Sequence, residues 1–140
     1  MKKTVLQKRS KSSRATAKRK AWAEFRLFVL NRDNWTCVTC GTKVEGKNAQ
    51  GGHFLHGVTN MPLWLDERNV SCQCTACNLY LSGNLIKYTL YMQKQYGQAV
   101  IDELFALKNA DKELGYQNMG TKDYEEIAEK YRELNRSASL

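Results

Sequence analysis

In "AWAEFRLFVLNRD", residues 21–33, Trp22, Phe25, Phe28 and Val29 recur three or four positions apart among polar neighbours. That rhythm predicts an amphipathic helix with one apolar face. It is lost in "NWTCVTCGTKVEGKNAQGGHF", 34–54, where glycine becomes frequent and turns with short strands suit the composition better. Residues 55–71 read as a loop around Pro62 and a turn into "ERNV". Helical composition returns in "NLYLSGNLIKYTLYMQKQY", 78–96, with Ser82 or Asn84 as cap, Ile86 and Leu90 as apolar positions, and Gly97 as the stop. "QAVIDELFALKNA" predicts a further helix with Ile101, Leu104 and Phe105 inward. A polar link with Gly115 and Gly120 leads to a last helix. Thr121 is its expected cap, Asp123 lies in its first turn, and Tyr124, Ile127, Ala128, Tyr131 and Leu134 form its stripe. The expected class is α+β, mainly helical: a helix, a small metal-bearing ββ unit, then several helices. The expected division is a basic arm at 1–20, a zinc-stabilised core at 21–97, and C-terminal helices at 98–140 that serve packing or dimerisation.

Charge changes the picture at the N-terminus. The net charge of the 140 residues is +8, yet residues 1–20 carry nine bases and no acid: Lys2, Lys3, Lys8, Arg9, Lys11, Arg14, Lys18, Arg19 and Lys20. Taking these nine from the total of 22 leaves 13 bases against 14 acids in the remaining 120 residues, so the whole excess sits in the arm. Such a segment lacks the apolar surface to fold alone. It is expected to be flexible and to lie along phosphates, releasing counterions; the plainer alternative is a solubilising tail. No run approaches the eighteen apolar residues of a membrane span, and no apolar stretch follows the basic start as in a secretory signal. A cytoplasmic protein without membrane partners is expected. Reducing conditions there, and an odd count of five cysteines, argue against a disulfide framework.

Clustered cysteines then point to zinc. Cys37-x-x-Cys40, followed by Gly41, has the shape of a knuckle that turns two thiolates toward one ion. One such pair is weak evidence, because redox pairs share the spacing. Cys74-x-x-Cys77 repeats it after 33 intervening residues and completes a four-thiolate tetrahedral site. A closed site of this kind has no open position, so its expected role is to hold 37–40 and 74–77 together. Cys72 breaks the spacing and reads as a spare, a buried small hydrophobe.

His53 and His56 are the two histidines, both in "GGHFLHG". His53 lies between the cysteine pairs, Asn69 follows in "DERNV", and Asn78 comes directly after the last cysteine. Cysteine pair, His, Asn, cysteine pair and terminal Asn is the order of an HNH, or ββα-metal, nuclease motif. More closely, "RDNWTCVTCG", "GGHFLHG" and "LDERNVSCQCTACNLYLSGNLIKY" resemble the NinG (Rap) recombination proteins of lambdoid phages, from about Trp22 to Tyr96. "CNLYLSGNLIKY" is the most specific part. The layout is also similar to recombination endonuclease VII, with an asparagine after its fourth zinc cysteine.

The resemblance implies an HNH-like core and a phosphodiester hydrolase. His53 would be the general base, as neutral imidazole suits water deprotonation near pH 7. Asn69 would orient that imidazole or brace its loop; by itself it also reads as a turn residue. Asn78 would offer its amide oxygen to a catalytic Mg²⁺ or Mn²⁺, although a cap for the following helix would use the same oxygen. Most HNH motifs place Asp or His immediately before the base, as a second metal ligand; here that position is Gly52, as in NinG-like sequences. Asp66, Gln50 and His56 are the alternatives, with Asp66 favoured because a carboxylate binds a hard ion better.

The expected function is therefore a metal-dependent, structure-specific DNA endonuclease acting on branched DNA, a Holliday junction resolvase in phage recombination, located in the host cytoplasm. DNA contacts are expected from the arm and from Lys43, Lys47 and Lys87, and two-fold cutting calls for a homodimer. The rival readings are a non-catalytic zinc-stabilised nucleic-acid-binding module, an HNH nuclease without branch specificity, and a zinc-stabilised interaction protein.

Overall fold

The computed structural model describes residues 2–56, 61–113 and 119–138, and their side chains except those of 2–12 and 111–113. Its elements are α1 (Lys2–Arg32), β1 (Gln50–His53), β2 (Val70–Gln73), a π-helical turn (Ala76–Tyr80), α2 (Leu85–Gln95), α3 (Gln98–Glu113) and α4 (Thr121–Ala138). A 3-10 turn lies at Pro62–Leu65. The result is mainly helical α+β with one two-stranded sheet among the described residues. No helix among them is long and apolar enough to cross a membrane.

The expected flexible arm is instead the first part of α1. No glycine or proline interrupts residues 1–40, and Ala, Lys and Arg are good helix formers. The chain packs as two compact units, 1–28 with 119–140, and 29–118. In the first, Ala17, Ala21 and Phe25 of α1 are buried, as are Tyr124, Ala128 and Tyr131 of α4. Phe25 meets Tyr131 edge-on, with centroids 5.0 Å apart. Arg14 Nη2 donates to Met119 O (3.1 Å), and Asn135 Nδ2 to the Glu24 backbone and carboxylate oxygens (2.9 Å each). Residue numbers rise together along both helices, so α1 and α4 run parallel. Asn135 takes the buried place expected of Leu134, which is exposed. Gly120, whose N–H is held by Asp123 Oδ2 (2.8 Å), stands where Thr121 was expected to cap. Gly115 lies outside the described residues.

The second unit holds the two strands and everything that positions the cysteines. β1 and β2 are antiparallel, pairing Gln50 with Gln73, Gly51 with Cys72, Gly52 with Ser71 and His53 with Val70. A core of Phe54, Leu55, Met61, Leu63, Tyr88, Met92, Ile101 and Leu104 joins the strand ends to α2 and α3. The inward residues of α2 are thus Tyr88 and Met92; Ile86 and Leu90, the apolar positions read from the sequence, are 81% and 60% exposed. Phe105 of α3 is exposed as well. Gly97, at φ +89°, ends α2, its N–H returning to Met92 O and Gln93 O.

Candidate metal centre and the strand beside it

α1 delivers its last residues into the second unit as a clamp. Arg32 grips Asp33 (Nε to Oδ1, 2.8 Å) and donates to Glu67 O (2.6 Å) and Val70 O (2.8 Å). Asp33 Oδ2 in turn accepts the Cys72 N–H (2.8 Å), and Cys72 O accepts the Val38 N–H (2.9 Å). β2 is thereby tied to both the end of α1 and the first cysteine loop. Cys72 itself is fully buried with Leu30, Val44 and Ala49, behind the ligands and not among them.

The thiols of Cys37, Cys40, Cys74 and Cys77 lie within 4.8 Å of one another, and Cys40 Sγ is 3.7 Å from Cys74 Sγ. Ligands about 2.3 Å from a tetrahedral zinc sit about 3.8 Å apart, so the cluster has the size that zinc requires. Both loops place donors on sulfur. Burial disfavours the Cys37 thiolate, but Thr39 and the backbone N–H groups of Cys74, Cys40 and Thr39 bring its pKa down to about 6. Burial pushes Cys74 up to about 12, against the Cys77 N–H. One thiolate is thus already favoured in the protein, and a dication would draw off the remaining protons.

The stretch after Cys77 explains its own sequence. Ala76–Tyr80 widens into a π turn, with the Leu81 N–H reaching back to Ala76 O (2.9 Å). Ser82, Gly83 and Asn84 then adopt positive φ in succession, +49°, +95° and +50°. Gly83 and Asn84 tolerate that region, while Ser82 is strained by about 1 kcal/mol or more. The turn is closed by the Gly83 N–H on Cys77 O (2.9 Å) and by Asn84 Nδ2 on Cys77 Sγ (3.5 Å). Asn84 therefore precedes α2 with its amide on a cysteine, making no side-chain cap.

Asn78 sits in the π turn and does not cap α2. Its Nδ2 donates to Gln50 Oε1 (2.7 Å), which fixes the amide plane and leaves Oδ1 without a partner among the described residues. Gln50 is itself held by Thr75 Oγ1 (3.1 Å). At the other end of β1, His53 Nε2 lies 2.9 Å from Trp64 O, and its ring lies parallel to the Trp64 ring (7°, centroids 6.1 Å). A carbonyl accepts only, so the neutral imidazole carries its proton on Nε2 and keeps Nδ1 basic. Burial, and then the nearby His56, lower the His53 pKa from 6.5; the Trp64 carbonyl opposes them.

Asn69 is fully buried and bonds backbone alone: Oδ1 accepts the Leu55 N–H (2.8 Å), and Nδ2 donates to Leu63 O (3.1 Å) and Leu55 O (3.3 Å). It braces the residue beside Trp64, and so acts on His53 at one remove. Asp66 is engaged by Arg68, Oδ2 to Nη2 at 3.0 Å and Oδ1 to both N–H and Nε. His56 is exposed, its Nε2 3.1 Å from where a Cβ on Gly83 would lie.

Four residues that the sequence did not flag complete the arrangement: Trp64, the Arg32–Asp33 clamp, and Gln73. Gln73 is fully buried; its Nε2 donates to Gly83 O (2.9 Å) and Thr39 Oγ1 (3.2 Å), while Oε1 has no partner among the described residues. A Cβ on Gly52 would lie 1.8 Å from that Oε1. Position 52, directly before His53, therefore has room only for glycine, because the Gln73 carboxamide fills the space. The signal was present as an unexplained glycine beside His53, but its occupant comes from the other strand.

A family model described as the bacteriophage lambda NinG protein matches residues 1–139. Over 78 residues the chain is 35% identical to proteins named ninG in Escherichia phage 933W and Salmonella phage P22, and 33% identical to that of Escherichia phage lambda. Each match covers 55% of this chain and 38% of the relative, so the chain spans well under two thirds of the curated relatives' length. No solved structure matches.

Proposed function

The chain belongs to the NinG family of lambdoid phage proteins, and from that premise we propose that it is a metal-dependent DNA endonuclease with an HNH-like ββα core, directed at branched DNA in phage recombination. The observation that carries the reading is His53: a half-buried imidazole, held by a backbone carbonyl so that Nδ1 is the basic nitrogen, on a strand beside a four-cysteine cluster.

His53 Nδ1 takes a proton from water, which attacks the scissile phosphorus in line as the 3′ oxygen departs. Trp64 O keeps the ring in register through Nε2, and Asn69 holds the Leu63 carbonyl next to it. Asn78 presents Oδ1, its plane fixed by Gln50. A bound Mg²⁺ or Mn²⁺ would supply charge stabilisation at the leaving oxygen. The residues present fit such an ion as a single amide-oxygen anchor, for Mg²⁺ keeps several waters and takes substrate phosphate oxygens. Asp66 would join it only by releasing Arg68. The zinc cluster organises both loops and leaves the chemistry to His53.

Paired cuts at a four-way junction need two sites, and a two-fold homodimer supplies them. The apolar residues left exposed on and before α2, Tyr80 and Ile86 foremost, support that assembly. Lys43 and Lys47 in the zinc loop and the bases of α1 provide phosphate contacts.

The test is cleavage of a labelled four-way junction beside the matched linear duplex, with Mg²⁺ and with no added divalent ion, using protein of verified zinc content. Metal-dependent cutting of the junction alone is expected. Equal cutting of both substrates removes the branch specificity. Binding without cutting under Mg²⁺ or Mn²⁺ leaves a zinc-organised nucleic-acid-binding module instead.

A further inference from the structure

Between the first cysteine loop and α2 lies a groove of about 360 Å³, lined by Val38, Thr39, Lys87, Leu90, Tyr91 and Lys94. It takes no part in the chemistry described above. Its wall on the loop side is rigid, because Thr39 is buried with its hydroxyl between Cys37 Sγ (3.2 Å) and Gln73 Nε2 (3.2 Å). On the helix side, Tyr91 is half-buried and braced against Tyr88 (centroids 6.2 Å, 65°). Leu90 is left 60% exposed.

The charge of the groove is one-sided. Lys87 and Lys94 are exposed, and neither forms an ion pair among the described residues. The sequence contains no acid between Glu67 and Asp102, so nothing on α2 offsets them. The two lysines stand seven positions apart on one helix face, about 10.5 Å along the axis. That distance lets both lysines reach phosphates of one strand while leaving room between them for a nucleotide. An aromatic and an aliphatic side chain lie between them.

Apolar side chains flanked by unpaired lysines fit a nucleotide whose base has left its stack; a duplex would meet only the lysines. We propose that this groove holds one unpaired DNA strand, with phosphates at Lys87 and Lys94 and a base against Tyr91 and Leu90. The assignment rests on the reading of the chain as a DNA-acting protein. It adds a strand-holding site apart from His53 and Asn78, and a reason why a branch, where bases unstack, would be preferred.

The experiment measures binding of the zinc-loaded full chain to labelled single-stranded oligothymidine and to a linear duplex of equal length. Fluorescence anisotropy is recorded across a salt series without added divalent ion. Lys87→Gln/Lys94→Gln and Tyr91→Leu are compared with the unaltered chain, and melting curves and zinc content confirm folding. The lysine pair is expected to lower single-strand affinity at least 10-fold and to reduce the slope of log K against log salt by about 1.4, at about 0.7 per phosphate contact. Tyr91→Leu is expected to lower single-strand affinity with the slope unchanged, and duplex binding should move less than about 2-fold in either variant. Unchanged single-strand affinity and slope in the lysine variant would overturn the proposal. So would an equal loss for duplex, no binding of single strands by the unaltered chain, or a change of oligomeric state with DNA affinity unchanged. Cleavage of the junction in Mg²⁺, run in parallel, separates the two readings. Cutting with an unaffected lysine variant removes the groove alone, and the expected binding losses without any cutting remove the nuclease alone.

Discussion

His53 illustrates how one backbone carbonyl sets the chemistry of a side chain. With Nε2–H on Trp64 O, the basic nitrogen is Nδ1, and burial keeps the ring neutral at neutral pH. Activity in Mg²⁺ is therefore expected to persist below pH 6.5, the ordinary histidine value, and to fall on the acid side only as the lowered pKa is crossed. A pH–rate profile of single-turnover cleavage checks this, and an acid limb above 6.5 would contradict it. The same lowering makes a stability statement. The unfolded chain takes up the proton first, so the contribution of His53 is complete above pH 6.5 and is lost as pH falls through the folded-state value. Gly52 gives a second prediction at this scale. Gly52→Ala must displace the Gln73 carboxamide, at a cost of about 2 kcal/mol. In a Gln73→Ala background the added cost should nearly vanish, which denaturant melts of the double-mutant cycle measure. Additive effects would show that the two residues do not share the space.

At the scale of elements, the π turn, the three left-handed residues and the cysteine pairs form one device. Thr39, Asn84 and Gln73 tie both loops to β2 and to the start of α2, so a metal held by the four cysteines would act on the strand that carries His53 through a short chain of bonds. One zinc per chain is expected by elemental analysis. Removing it, or Cys40→Ser, should melt the second unit well below the intact protein, because metal binding is part of its folding free energy. Unchanged melting after zinc removal would contradict that. The cysteine spacing made this centre legible, since four thiols at two matched spacings need no knowledge of the fold. The face of α2 was less legible. Counting aliphatic residues selected Ile86 and Leu90, whereas Tyr88 and Met92 fill the core. Tyr88 is inside because its hydroxyl finds Gly52 O at 2.7 Å, a partner 36 residues away that no local periodicity reveals. The role of Gln73 was hidden for the same reason.

For the whole molecule, the sequence reading mistook the state of the N-terminus while locating its charge correctly. A run of lysine and arginine with few apolar residues looks unable to fold alone, yet Ala17 and Ala21 are buried and α4, about 100 residues later, supplies packing for that stretch. The bases from Arg14 to Lys20 therefore stand on a helix, which presents charge at fixed spacing instead of as a loose tail. Exposed Ile86 and Tyr80 carry the expectation of a homodimer. Ile86→Asp should leave the melting temperature within a few degrees while shifting the mass in light scattering from dimer to monomer. A monomer in the unaltered chain would remove the two-site account of paired cutting.

The most direct test is single-turnover cleavage of a four-way junction in Mg²⁺ by the unaltered chain and by His53→Ala, each with its zinc content and melting curve recorded on the same preparation. The account predicts cutting by the first and a loss of at least about 100-fold in the second, with zinc and fold retained. Equal rates, in a folded and zinc-loaded His53→Ala protein, would contradict it.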